Sequence, residues 1–210
     1  MSTAKEEILR RIRSAQKISH TAEKVEAPRE YHRAGSVSGP ALIEMLVDRL
    51  VDYKADVHEC SSAELSNTLA EVFTERSVQN LVYAPGIDQA VLSAFEGQAR
   101  ADDAAANPRE LSLVDAVLTE SLVSCAETGT IVLESGDLCG RRALTLVPDR
   151  HVCIVRADSI VHRVPEMIER MDPTKPSTMI SGPSATSDIE LSRVEGVHGP
   201  RDLIVVIVRD

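Results

Sequence analysis

The sequence predicts an α/β fold, a three-layer α/β/α sandwich with a mostly parallel central sheet. Short runs that are almost entirely aliphatic recur along the chain, which is typical of strands buried on both faces. Amphipathic stretches with helical period separate these runs, as in parallel sheets whose crossovers are helices. Of the 210 residues, 43% are hydrophobic but only 2% are aromatic, so we expect a large aliphatic core.

The N-terminal part of the chain differs in charge from the rest. Residues 1–33 carry a net charge of +3, and the remaining residues carry −13. Ile8 and Ile12 are one helical turn apart, which predicts an amphipathic helix within this arm. We place the arm at residues 1–37 and the domain at residues 38–210. Three docking partners for the arm are compatible with the sequence: the acidic body of this chain, a second copy of the chain, and another subunit.

The domain then alternates between helices and strands. Pro40 is suited to the first turn of a helix, and Ser61 with Glu64 has capping-box spacing at the start of the next one. Two further helices are predicted over residues 87–95 and 164–171. Residues 97–108 are predicted to be a loop, and residues 111–125 are compatible with either helix or strand. The predicted strands are 55–59, 81–84, 130–133, 151–156, 178–181 and 203–208.

Composition excludes several classes of function. The net charge of −10 argues against a protein that binds nucleic-acid phosphates, and the scarcity of aromatic rings argues against base stacking. The longest aliphatic run, residues 203–208, is too short to span a bilayer, and no secretory signal is apparent. We therefore expect a cytoplasmic protein.

The cysteines give no sign of a metal site. The chain has four, and none is within three residues of another, unlike the close pairs that hold zinc or iron–sulfur clusters. We expect no cofactor and no metal bound by this chain itself.

Three loops carry the residues that suggest chemistry. In parallel sheets, ligands bind outside the carboxyl ends of the strands, so we expect these loops at that edge. The loops are 126–130, 181–190 and 196–200.

The loop at 181–190 combines glycine with hydroxyl groups, which favours binding of a small anion. Gly182 allows close approach of the backbone, and backbone N–H groups with the neighbouring side chains can hold a carboxylate or phosphate. A loop that only caps its own helix fits the same residues. The spacing excludes a phosphate-binding P-loop and a nucleophile elbow. The predicted ligand-binding residues are Gly129, Thr130, Arg142, Ser181, Gly182, Ser184, Thr186, Asp188 and Gly199.

Two residues are candidates for catalysis. Glu127 can act as a nucleophile or general base if burial raises its pKa, although a surface carboxylate beside a turn fits the pattern too. His198 lies between Gly196 and Gly199, and histidine is the residue type that most readily gives or takes a proton near neutral pH, although a structural or solvated histidine fits the pattern too. Arg142, together with Arg141, can clamp a carboxylate through paired hydrogen bonds, although a pair of solvated loop arginines fits the pattern too.

Five stretches together resemble a known family, the lactate-utilisation domain, and in particular the lactate utilization protein C family. They are Glu127-Thr128-Gly129-Thr130, residues 142–148, residues 151–158, residues 180–190 and Gly196-Val197-His198-Gly199-Pro200. The resemblance covers roughly residues 38–208. It implies a fold like that of sugar-phosphate isomerases and coenzyme A transferases.

The resemblance also implies a function. Family members are encoded with two iron–sulfur proteins, and the three are required for oxidising L-lactate to pyruvate in bacteria. It follows that the iron–sulfur clusters belong to the partner subunits, and that this chain supplies an assembly site or a site for a small anionic ligand (lactate, pyruvate or a phosphate-containing compound).

Two other functions stay open. Glu127-Thr128-Gly129 resembles the Glu-Asn-Gly turn of coenzyme A transferases, with Thr128 in place of Asn, which suggests a free-standing acyl or coenzyme A transferase. The third alternative is a regulator that binds a small carboxylate or phosphate without converting it.

Overall fold

The computed structural model describes residues 3–20, 26–186, 194–195 and 199–210. The chain divides into two compact units, Met1–His32 and Arg33–Asp210. The first unit contains helix α1 (Ala4–Ile18), as predicted. Thr3 caps this helix: its Oγ1 accepts a hydrogen bond from the Glu6 amide, and the Glu6 carboxylate accepts one from the Thr3 amide.

The second unit is built on a central sheet of six strands. Every neighbouring pair in this sheet is parallel, which confirms the predicted sandwich. In spatial order the strands are β1 (Asp56–Cys60), β12 (Asp202–Val208), β7 (Arg150–Arg156), β4 (Ala116–Glu120), β2 (Asn80–Tyr83) and β3 (Gln98–Ala101).

Alternate residues of the central strands pack on opposite faces. In β12, Ile204 and Val206 join the apolar cluster of helix α3 (Leu65–Glu75), whereas Val205 and Ile207 join that of helix α2 (Pro40–Asp52). Because side chains alternate along a strand, a helix layer on each face buries both sets. The shorter helices are α4 (Arg142–Leu146), α5 (Val164–Glu169) and three 3₁₀ helices at Gln89–Leu92, Pro108–Leu113 and Ala157–Ser159.

A second, mixed sheet packs on the α2 side. Its order is β8 (Ile160–Val161), β5 (Val123–Cys125), β6 (Thr130–Glu134) and β9 (Ser177–Ile180). Strands β5 and β6 form an antiparallel hairpin, and β9 runs antiparallel to β6. Two short strands, β10 (Ala185–Thr186) and β11 (Val194–Glu195), pair antiparallel with each other.

Four predictions of local structure were wrong or incomplete. The helix predicted at residues 87–95 is one 3₁₀ turn, because the Ala94 amide donates to Ser66 Oγ at 3.0 Å instead of to a helix carbonyl. The predicted loop at 97–108 contains the exposed edge strand β3. The ambiguous stretch 111–125 forms β4 and β5. The predicted strands 130–133 and 178–181 belong to the mixed sheet.

The structure also bears on membrane insertion. Within the residues it describes, no helix combines the length and the apolar character that crossing a bilayer requires.

Candidate functional site

A cavity of about 250 Å³ lies where β7 and β12 begin. His151 and Leu203, the second residues of these strands, form part of its wall, and the end of α4 forms another part. The loop after β9 and the segment before β12 complete it. The lining residues are Thr145, Leu146, His151, Thr178, Met179, Ile180, Ser181, Gly182, Pro183, Ser184, Gly199, Pro200 and Leu203.

This position corrects the expected edge of the sheet. The binding loops were expected at the carboxyl ends of the parallel strands, but the cavity lies at their amino ends. The reason is the second sheet. The loop containing Ser181 follows β9, which pairs antiparallel with β6 outside the parallel sheet, and Gly199 precedes a parallel strand instead of following one.

A chain of hydroxyl groups leads from the β5–β6 turn to the cavity. Thr130 Oγ1 lies 2.7 Å from Thr128 Oγ1 and 3.0 Å from Ser181 Oγ. The pairing of Ile131 with Ile180 places Thr130 and Ser181 at adjacent positions on neighbouring strands. Two residues that are 51 positions apart in sequence are therefore brought together, as the predicted ligand-binding set requires.

Gly182 and Gly129 allow this region to approach the end of α2. Gly182 has φ of +81°, and a Cβ there would lie 2.6 Å from the carbonyl oxygen of Tyr53. Gly129 has φ of +60°, and a Cβ there would lie 2.8 Å from Arg49 Cβ. Both the left-handed backbone and the lack of space favour glycine. Gly182 lines the cavity, and Gly129 lies next to the hydroxyl chain.

Ser184 and Gly199 meet on another part of the wall. The Ser184 amide donates a hydrogen bond to the Pro200 carbonyl at 2.8 Å. A Cβ on Gly199 would lie 3.6 Å from Ser184 Cβ, which is ordinary contact. The structure thus brings Ser181, Gly182, Ser184 and Gly199 to one cavity.

Glu127 and Arg142 are not among the described residues that line the cavity. Glu127 lies in the β5–β6 turn with its side chain 45% exposed, and its carboxylate is 3.8 Å from the Arg163 guanidinium. Arg142 is exposed at the start of α4, and its neighbour Arg141 binds Asp102 of this chain. For Thr186 the structure describes only the backbone, in β10. Asp188 and His198 lie outside the described residues.

His151 was not among the predicted site residues. Its side chain is only 1% exposed, yet it contributes to the cavity wall. Its Nε2 lies 2.8 Å from Thr119 Oγ1. Burial lowers the pKa of His151 to about 4, so the imidazole is neutral at physiological pH. The sequence signal that could have identified His151 is a polar residue at the start of an otherwise aliphatic strand.

The described lining offers uncharged polar groups. It contains the hydroxyls of Ser181, Ser184 and two threonines, backbone groups and a neutral imidazole, and no arginine or lysine. Within the described ranges, no three His, Cys, Asp or Glu side chains are grouped so that they could hold a metal ion. Hydroxyl and amide donors of this kind can bind a small carboxylate through hydrogen bonds.

The fold and this cavity define a parallel-sheet sandwich with a mixed side sheet and a small polar cavity. Residues 43–208 match the LUD domain, and the chain belongs to the LUD domain family. It is 40% identical to Lactate utilization protein C of Deinococcus radiodurans over 187 residues, which cover 87% of each chain. It is 28% identical to Lactate utilization protein C of Halalkalibacterium halodurans over 188 residues, covering 82% of this chain and 81% of that protein.

A solved structure shows the same fold. The crystal structure of a DUF162 family protein from Deinococcus radiodurans superposes with a TM-score of 0.70 at 33% identity. The match covers 82% of this chain and 99% of the other. Both the predicted fold class and the predicted family are therefore confirmed.

Proposed function

We propose that this chain acts in lactate utilisation, as a subunit of a cytoplasmic iron–sulfur-dependent system that oxidises L-lactate to pyruvate. In this system the chain supplies a small-anion site, and two iron–sulfur proteins carry the electrons. Relatives that match most of the chain bear the name Lactate utilization protein C, which supports the pathway. The observation that carries the site is the convergence of Ser181, Gly182, Ser184 and Gly199 on one cavity.

The size and polarity of the cavity suit a ligand of a few heavy atoms. A volume of about 250 Å³ is at the low end for ligand sites, which favours a compact molecule. Ser181 and Ser184 present hydroxyls, and a carboxylate accepts hydrogen bonds from such donors. Since the imidazole of His151 is neutral, a carboxylate would be held by hydrogen bonds and not by an ion pair.

The division of labour follows from the chemistry of the reaction. Oxidation of lactate to pyruvate removes two electrons and two protons, and the electrons require an acceptor. The four cysteines of this chain are buried free thiols distributed over the domain. This arrangement supports placing the electron acceptors in partner proteins, because cluster ligands are grouped thiolates.

The first test is growth and co-purification. A strain that lacks this chain is expected to lose growth on L-lactate but not on pyruvate, and the tagged chain from lactate-grown cells is expected to bring down two iron–sulfur proteins. Unchanged growth on L-lactate, or recovery without an iron–sulfur protein, would contradict the proposal.

The second test addresses the cavity. Replacing both Ser181 and Ser184 by Ala is expected to reduce growth on L-lactate, because two hydroxyl donors leave the wall. Ser112→Ala is the matched control, since Ser112 is exposed and its hydroxyl bonds only the Arg109 carbonyl in its own turn. Equal growth of the double variant and the control would remove the cavity from the proposal.

A further inference from the structure

We propose that His151 accepts a hydrogen bond from the hydroxyl group of a bound ligand, and that the cavity thereby selects 2-hydroxy carboxylates over carboxylates without that hydroxyl. This inference rests on the proposed function, because it assumes that the cavity binds a small carboxylate. It adds a ligand-binding residue and a basis for discrimination that the predicted site did not contain.

The first step is the position of the ring. His151 lines the cavity while almost all of its surface is buried. One ring nitrogen, Nε2, is bonded to Thr119 Oγ1 at 2.8 Å. Among the residues that the structure describes, the other nitrogen, Nδ1, has no hydrogen-bond partner. A ring nitrogen in a cavity wall with no partner from the protein is a place for a polar group of a ligand.

The second step is the direction of the hydrogen bonds behind the ring. Cys153 Sγ lies 3.7 Å from the carbonyl oxygen of Ile154, which can only accept, so the thiol donates there. Thr119 Oγ1 lies 3.7 Å from Cys153 Sγ and donates its single proton to the sulfur. With this proton directed to the sulfur, we assign the hydroxyl oxygen as the acceptor in its 2.8 Å bond to His151, which places the ring proton on Nε2, the tautomer that the ¹⁵N measurement below tests.

Burial shields this chain of bonds from solvent. Thr119 and Cys153 are both fully buried, so water does not compete for their protons. Burial raises the pKa of the Cys153 thiol, which keeps it protonated and able to donate. With the proton on Nε2 and the ring neutral, Nδ1 presents a lone pair and acts as an acceptor.

The third step matches this acceptor to a ligand. A 2-hydroxy acid has a hydroxyl that donates to Nδ1 while its carboxylate accepts from hydroxyls such as those of Ser181 and Ser184. A 2-oxo acid presents a carbonyl oxygen, which is a second acceptor and cannot pair with Nδ1. A simple carboxylate such as propionate presents only a methylene group. Sites built to bond a ligand hydroxyl reject analogues that lack it, because the site's own group is then left unpaired.

The experiment compares L-lactate, pyruvate and propionate as ligands of the full chain, by titration calorimetry or by NMR. L-lactate is expected to bind about tenfold more tightly than propionate or pyruvate, the scale of one hydrogen bond to a buried group. His151→Gln keeps a donor near the Nε2 position but removes Nδ1, so it is expected to weaken lactate binding to the level of propionate. His151→Asn, which keeps a polar atom near Nδ1, is expected to restore part of the preference.

A spectroscopic measurement supplies a readout that a structural role for His151 would not change. The ¹⁵N shift of Nδ1 in histidine-labelled protein is expected to be that of an unprotonated nitrogen, and to move when L-lactate is added but not when propionate is added. This measurement and the ligand comparison use the unaltered protein, so they decide the question even if a variant fails to fold.

The outcomes separate this inference from the function on which it rests. Equal binding of L-lactate and propionate, or a protonated Nδ1, overturns the role of His151 and leaves the anion site standing. Absence of binding by all three carboxylates overturns the anion site, and the role of His151 with it.

Discussion

Arg141 binds Asp102 through two parallel hydrogen bonds, Nε to Oδ2 at 2.7 Å and Nη2 to Oδ1 at 3.0 Å. The Asp102 side chain is only 2% exposed and that of Arg141 19%. Arg141 Nη1 also donates to the Ala106 carbonyl at 2.8 Å, so one guanidinium joins the start of α4 to the segment after β3. The clamp that the sequence suggested for a ligand is occupied by the protein's own carboxylate.

Asp102→Asn is expected to lower the free energy of unfolding by about 3 kcal/mol, because it leaves a largely buried guanidinium without its counter-charge. Urea denaturation measures the change. Arg142→Ala is the matched control: this neighbouring arginine is exposed, and its removal is expected to change stability by less than about 0.5 kcal/mol. Similar losses of unfolding free energy in the two variants would mean that the buried Arg141–Asp102 pair does not stabilise the protein more than an exposed arginine does.

Gly182→Ala is expected to destabilise the protein by about 1–3 kcal/mol and to distort the cavity. Its φ of +81° is unfavourable for alanine, and the new Cβ would lie 2.6 Å from the backbone oxygen of Tyr53. Thermal unfolding provides the measurement. Gly136→Ala serves as the control, because the nearest atom to a Cβ there is 4.0 Å away. If Gly136→Ala costs as much as Gly182→Ala, the close approach to Tyr53 is not the cause.

The stability of the protein is expected to fall between about pH 6.5 and pH 4 through His151. Burial lowers its pKa from 6.5 to about 4, so in this range the unfolded chain binds a proton that the folded chain does not. Protonation therefore favours unfolding as the pH falls, with a maximum effect of about 3 kcal/mol. Urea denaturation across this range checks it, with His151→Gln as the comparison. Identical pH profiles for the two proteins would show that His151 does not titrate as described.

Glu127→Gln is expected to leave stability within about 0.5 kcal/mol and growth on L-lactate unchanged. The side chain is 45% exposed, and its contact with Arg163 is a long 3.8 Å ion pair near the surface. Denaturation, growth and mass spectrometry of the chain after incubation with thioesters test this. A covalent adduct on the unaltered protein that disappears in the variant would instead favour the acyl-transferase alternative.

The aliphatic runs made the class of fold predictable. The strand Leu203–Val208 and the strand at 151–156 are buried on both faces, and such strands read as nearly continuous apolar sequence. Thr130–Leu133 has the same appearance but belongs to the mixed sheet, because the choice of partner depends on contacts distant in sequence. The exposed strand β3 has no apolar pattern, and its sequence therefore predicts a loop.

The candidate ligand-binding loops were predictable as a group but their location was not. Ser181, Gly182 and Ser184 stood out by residue type, and the structure places them on one cavity. The edge of the central sheet at which these residues lie depends on the direction of β9, and a single sequence does not reveal that direction. His151 was not predicted because its hydrogen bond within the described part of the chain is to Thr119, 32 positions away, and no local pattern indicates such a pair.

The edge strands of the central sheet have a consequence for how the protein behaves in concentrated solution. All four residues of β3, including Arg100, are exposed, and at the opposite edge β1 carries Asp56 and Glu59. A charged, short edge is a poor template for another chain to extend by backbone pairing. Both edges of the sheet therefore disfavour pairing with a further strand, and the strongly aliphatic strands lie in the interior, away from these edges.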